Sequence, residues 1–250
     1  MNRFLTTLIL FTVFFRANYS FSQETAFFKV TYTKELYSKL DSSKSNYHKR
    51  QINNLNFLLN KNSKKVEYHL IIENYHSIFY SEILKMNNDS QGFQKLTSQI
   101  GGTRGKFYIN KKDSIFYNKK HFGGDDFKIK LNIKKWKITN EFKFIRNFKS
   151  YKAISEDVIL NPNGKFKFKV IAWFCPDLPS FFGPANYFGL PGLILELDNG
   201  KSILQVKEIR KSKSLKEKVI LFKKGIELSQ KEYNDLVKKK ANEKYGKFMN

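Results

Sequence analysis

Cysteine is nearly absent: Cys175 is the only one in 250 residues, so no disulfide forms within the chain and stability must come from packing. One thiol is also far short of a zinc or iron–sulfur ligand set. Histidine is almost as scarce. His48, His69, His76 and His121 show no HExxH spacing, and such isolated positions suit solvated or hydrogen-bonded side chains better than metal ligands. Arginine supplies only 6 of the 46 basic residues. Base edges and phosphate forks favour arginine, so the formal charge of +24 does not by itself imply a nucleic-acid partner. The accompanying richness in Asn, Ile, Phe, Tyr and Lys is what A/T-rich codons produce, and no nucleic acid is expected.

Catalytic patterns are missing too. Gly101-Gly102-Thr103-Arg104-Gly105 lacks the Gly-Lys-Ser/Thr ending of a phosphate loop. Asp125-Asp126 reads as a turn. Glu156-Asp157 sits in a strand pattern, where adjacent side chains point to opposite faces and cannot share acid–base work. Cys175 has no basic or histidine partner at short range and reads as a small buried hydrophobe. No catalytic residue, metal site or cofactor is expected.

Long apolar runs are confined to the start. Phe4 to Phe15 is predominantly apolar behind Met1-Asn2-Arg3, and small residues stand at Ser20 and Ser22. About a dozen apolar residues is short of the roughly 20 that span a bilayer, and the pattern is that of a secretory leader. The expectation is a signal peptide over 1–22 with cleavage before Gln23. No cysteine follows that site to take a lipid anchor. The mature chain, 23–250, is expected to be exported to the periplasm, the outer membrane or beyond, with a charge of +22 once Arg3 and Arg16 are removed.

What the chain has in quantity is alternation. Phe127, Ile129, Leu131 and Ile133 alternate with Lys128, Lys130, Asn132 and Lys134, and Phe166, Phe168, Val170, Ala172 and Phe174 follow the same rule. Phe142, Phe144 and Phe148 repeat it more weakly. Strands with one apolar and one lysine-bearing face belong to an antiparallel sheet wet on one side. Further strands are expected at 26–36, 66–72, 77–83, 106–110, 114–118, 193–197, 202–206 and 218–223. Asp198-Asn199-Gly200 is expected to turn a hairpin. Helix is sparse: a candidate over 47–59, and one opened by the capping box Ser229-Gln230-Lys231-Glu232 with Tyr233, Leu236 and Val237 at helical spacing. The predicted fold is mainly β, one curved antiparallel sheet or open half-barrel with a peripheral C-terminal α-helix, in a single domain.

Four of the five prolines fall between Pro176 and Pro191, making a stiff loop that carries Phe181, Phe182, Tyr187 and Phe188. These aromatics either plug the end of the β domain or form a lid over a cavity. The loop ends in Gly189-Leu190-Pro191-Gly192-Leu193-Ile194. Pro at i+1 and Gly at i+2 predict a type II turn, with Gly192 at positive φ.

That hexapeptide, with Trp136-Lys137-Ile138, Ser150-Tyr151-Lys152-Ala153 and Ala172-Trp173-Phe174 upstream, resembles the GLPGLI family over about residues 130 to 200. The resemblance implies an exported envelope protein of Bacteroidota-type bacteria, in a family without an established activity. Its members often carry a cysteine just before the Lys-Ala pair. Here Ser150 stands in that region, so a redox role at that position has no thiol to carry it. The expected function is a non-enzymatic binding module for a lipid or other apolar or amphipathic ligand. The alternatives are an envelope protein partner in an outer-membrane assembly, and a hydrolase assembled from distant residues.

Overall fold

A computed structural model describes residues 27–37, 46–63, 65–83, 88–161, 164–214 and 219–245; the leader read over 1–22 lies outside them. The strands in chain order are β1 (Phe27–Leu36), β2 (Val66–Glu73), β3 (His76–Ile83), β4 (Lys106–Asn110), β5 (Ile115–Phe122), β6 (Asp125–Lys130), β7 (Lys137–Ile145), β8 (Phe148–Asn161), β9 (Gly164–Cys175), β10 (Leu193–Asp198), β11 (Ser202–Ser212) and β12 (Ile226–Leu228). The helices are α1 (Asn46–Ser63), α2 (Asn88–Gln99) and α3 (Gln230–Tyr245).

All twelve strands lie in one open sheet, ordered β12-β6-β5-β4-β3-β2-β1-β11-β10-β9-β8-β7. Tight turns join most neighbours and make them antiparallel. β12 is the exception: it returns through a longer segment and pairs parallel with β6, so the sheet is mixed rather than purely antiparallel. β1 lies at the centre, zipped to β2 on one side and to β11 on the other.

The sheet curls. β5 and β8 are eight positions apart in the strand order, which in a flat sheet would separate them by roughly 40 Å. Instead Asn118 and Lys120 of β5 and Asp157 of β8 line one cavity of about 180 Å³. The inner face is the alternating apolar face read from the sequence: Val170, Ala172 and Phe174 of β9 are buried, as are Val30 and Tyr32 of β1. The loop over 176–192 drops into the hollow, and Phe182, Tyr187, Phe188 and Leu190 join the same buried cluster. α3 covers Phe127 and Ile129 with Tyr233. Its capping box is closed in both directions, Glu232 N–H donating to Ser229 Oγ at 3.2 Å and Ser229 N–H to Glu232 Oε2 at 2.7 Å.

Some local expectations shift. β6 stops at Lys130, and residues 131–136 leave the sheet. Phe142 and Phe144 lie on β7 and Phe148 on β8, because the chain reverses at Arg146 with φ 53°. Residues 219–223 form no strand, and residue 218 lies outside the described residues. The α2 helix has few apolar positions and was not expected; α1 runs longer than the segment read for it, over Asn46–Ser63.

The turn at Leu190-Pro191-Gly192-Leu193 is also not as predicted. Gly192 is not at positive φ; Gly189 is, at +96°. Gly192 is required for closeness instead, since a Cβ there would lie 2.3 Å from the Cys175 carbonyl oxygen and 2.6 Å from its carbon. The clash is with backbone of β9, which cannot step aside as a side chain would. Gly192→Ala is therefore expected to cost about 2–3 kcal/mol as an overpacking change. A Tm equal to wild type by calorimetry would refute the close approach.

Candidate functional site

The mouth of the curled sheet is organised by one turn residue. Asn199, in the β10–β11 hairpin, accepts from the N–H groups of Lys201 (3.1 Å) and Ser202 (3.0 Å), which fixes its side chain. Its Nδ2 then donates to the Gly101 carbonyl at 2.7 Å and approaches Tyr187 Oη at 3.4 Å. Tyr187 donates to Asp157 Oδ2 at 2.5 Å, and Lys134 pairs with the other oxygen, Oδ1. The same Lys134 ammonium lies 5.2 Å from the Tyr187 ring centroid. A polar relay thus runs from the β4 approach, through the hairpin and the loop, to β8 and the 131–136 segment.

Burial pushes the Tyr187 hydroxyl well above the ordinary tyrosine range, and the Asp157 charge adds to this. It stays a neutral donor. Across the cavity, burial lowers the Lys120 ammonium to about 8, with a further contribution from the Arg104 charge. Lys120 lies 5.1 Å from the Tyr233 ring and has no carboxylate partner among the described residues. Asn118 donates to the Arg104 carbonyl at 3.2 Å, while its Oδ1 is buried without a partner. The chamber offers a ligand cationic and amide groups in a small polar space.

Outside the chamber, and sharing Leu131, Asp157, Asn186 and Gln230 with it, runs a groove of about 930 Å³. It exists because β7 pairs with β8 only as far as Lys137↔Ile154. Beyond that point the 131–136 segment swings away and no described strand covers that edge of β8. Apolar Leu131, Ile133, Trp136, Ile154 and Val158 share the lining with Lys130, Lys134, Lys135 and Lys137. Trp136 is held in place by its Nε1–H, which donates to the Phe188 carbonyl at 2.9 Å.

The residues singled out from sequence divide into three groups. Tyr187 and Trp136 reach the chamber and groove. Phe182, Phe188, Leu190, Leu193 and Ile194 are buried, Phe181 is half-buried, and Ile194 O accepts the Tyr32 hydroxyl at 2.7 Å. Gly189 sits against Ile133, Pro191 is exposed, and Gly192 abuts β9. Trp173 faces the outer side of β9, 4.5 Å beneath the Lys143 ammonium, away from the groove. Lys120, Lys134, Asn118 and Asp157 were not anticipated as a set. Their partners come from strands far apart in sequence, and only Asn199 carried a local signal, as a turn residue. Among the described residues no group of three or more His, Cys, Asp or Glu could hold a metal ion.

A family described as "Protein of unknown function (Porph_ging)" matches residues 162–196. The match spans β9, the aromatic loop that fills the hollow of the sheet, and most of β10. Among solved structures, PNGF-II in the C2 space group is similar with a TM-score of 0.51 and 17% identity over 85% of this chain and 32% of that one. PNGF-II in the P21 space group gives 0.49 and 18% over 84% and 32%. The chain spans about a third of the length of those proteins. At this identity the C2 likeness shows a shared β fold and nothing about activity. No curated protein matches.

Proposed function

We propose that this is an exported envelope protein of the GLPGLI type that binds an amphipathic ligand with an anionic end, without catalysing a reaction on it. The observation that carries the reading is the continuity of the two spaces at the mouth: a polar chamber containing Lys120, opening into a groove whose lining pairs apolar side chains with four lysines. A carboxylate or similar head group suits the chamber, and an acyl or aryl body suits the groove. The hollow of the sheet itself is filled by the loop, so the ligand belongs at the rim rather than inside the β core. The leader pattern over 1–22 supports the export part of the reading.

Trp136 supplies the test. Trp173→Phe leaves Trp136, in the groove, as the only tryptophan. Titration with palmitate is expected to shift its emission saturably, and the uncharged glycerol ester is expected to bind more weakly. Lys135→Gln should weaken palmitate binding while leaving the melt unchanged. An emission spectrum that never responds to palmitate would sink the proposal. The uncovered edge of β8 favours a second reading, an extended peptide adding a strand there. A short acidic peptide that shifts Trp136 where palmitate does not would establish that reading in its place.

A further inference from the structure

At the α2 end of β4–β6 lies a second groove, of about 680 Å³. Six basic side chains line it: Lys95, Arg104, Lys106, Lys119, Lys120 and His121. Asp126 is its one carboxylate, and that group is already engaged twice, by Lys119 at 2.7 Å and His121 at 3.0 Å. Hydrogen bonds from these two side chains hold the Asp126 carboxyl below the usual range, the one from Lys119 more strongly. Lys95, Arg104, Lys106 and Lys120 have no ion pair among the described residues. Among the described residues Lys106 and Lys120 lie over aromatic rings, Tyr80 at 5.9 Å and Tyr233 at 5.1 Å, with no ion pair.

Elsewhere on the sheet several lysines are balanced by carboxylates. Lys143 pairs with Glu196, Lys152 with Glu141, Lys167 with Glu156 and Lys207 with Glu67. In this groove the sequence instead collects like charges in one concavity and leaves them uncompensated, which is costly unless an anion arrives. Lys120, lowered chiefly by burial, is lowered further by the repulsion from Arg104. Arg104, exposed at the rim just before β4, presents a planar fork suited to two oxygens of one group. The remaining lysines are point charges around it.

We infer that this groove is a binding site for clustered phosphate groups, separate from the ligand groove at the mouth. Four uncompensated cations exceed what a single carboxylate needs, whereas a polyphosphate or a phosphorylated head group presents several charges over the same span. The inference does not depend on the amphipathic ligand proposed above, although Lys120 borders both spaces.

The test is calorimetric titration of the full chain with sodium tripolyphosphate. One saturable site is expected, and Arg104→Gln with Lys106→Gln should weaken it about tenfold or more, the scale of losing charge-assisted hydrogen bonds. Lys149→Gln with Lys211→Gln removes the same charge from exposed strand positions outside the groove and should leave the affinity unchanged. Equal weakening by both pairs, or no saturable binding, overturns the site and reduces the effect to net charge. Sedimentation with phosphatidylglycerol vesicles, against phosphatidylcholine, separates two sources. Capture lost only in the Arg104/Lys106 pair identifies a lipid head group, and tripolyphosphate binding without capture identifies free phosphate. The Trp136 response to palmitate should survive the Arg104/Lys106 pair, so the two proposals fail independently.

Discussion

Phe188→Ala is expected to cost about 4 kcal/mol of unfolding free energy, the usual scale for emptying a fully buried aromatic position, and to lower Tm by about 12 °C in a chain of this size. Phe188 is completely buried, with its ring 5.0 Å from Phe116 of β5 and 5.7 Å from Phe181. Its carbonyl also receives the Trp136 indole, so the void would open beneath the groove as well as within the core. A lid would behave differently. If the loop merely closed over a cavity, the melt would be unchanged and only ligand capture would suffer. Phe181→Ala, at a half-buried neighbour, should cost distinctly less. A thermal melt of Phe188→Ala within 2 °C or so of wild type would show that the loop does not hold the sheet together.

The second large effect is electrostatic. Lys34 is 1% exposed, on the inner face of β1. Its ammonium donates to the Ile100 carbonyl (2.7 Å) and the Thr103 hydroxyl (2.8 Å) and lies 4.7 Å from the Tyr68 ring centroid. Among the described residues no carboxylate pairs with it. Burial lowers its pKa from 10.5 to about 7. Between those values the unfolded chain binds a proton that the folded chain has released, so stability rises with pH across that window. Below pH 7 both states are protonated and the desolvation penalty is fully present. Each pK unit is worth about 1.4 kcal/mol, so the gain from pH 7 to pH 10 is on the order of 4 kcal/mol. Tyr32 and Tyr68, whose pKa values burial raises, act in the opposite sense, as unfolded tyrosines ionise near pH 10 and above. They close the window at its upper end.

Lys34→Met removes the titrating group with little change of shape. Denaturant melts from pH 6 to pH 10 should show the wild type gaining on the variant by about 4 kcal/mol. Contributions common to both proteins, including that of Lys120, cancel in the difference. Parallel curves for the two proteins would mean that Lys34 keeps an ordinary pKa and is hydrated in the fold.

Much of the architecture is written in short-range pattern. The alternation around Val170, Ala172 and Phe174 reports which face is inner, and Asp198-Asn199-Gly200 reports where the chain reverses. Lys34 was legible in principle too, since it shares the register of Val30, Tyr32 and Leu36 and so interrupts an inward-facing series. The chamber was not. Asp157 and Lys120 line one cavity only because the sheet curls, and curvature is a sum over many strand pairs that no local window contains. Gly192 shows a different limit. A glycine chosen for backbone approach and one chosen for positive φ look the same in sequence.

The position of β1 has a kinetic consequence. Phe27 at its start pairs with both Glu73 and Ser212, so the centre of the sheet joins segments from nearly opposite ends of the described chain. Closing so long a loop gives no reward until β11 has been made, and chains dominated by such pairings fold slowly. Until then one edge of β1 stays open, next to a strand run with an apolar inner face. A nascent chain would therefore remain incomplete for most of its synthesis, and a truncation before Ser202 would yield a sticky half-sheet rather than a smaller domain.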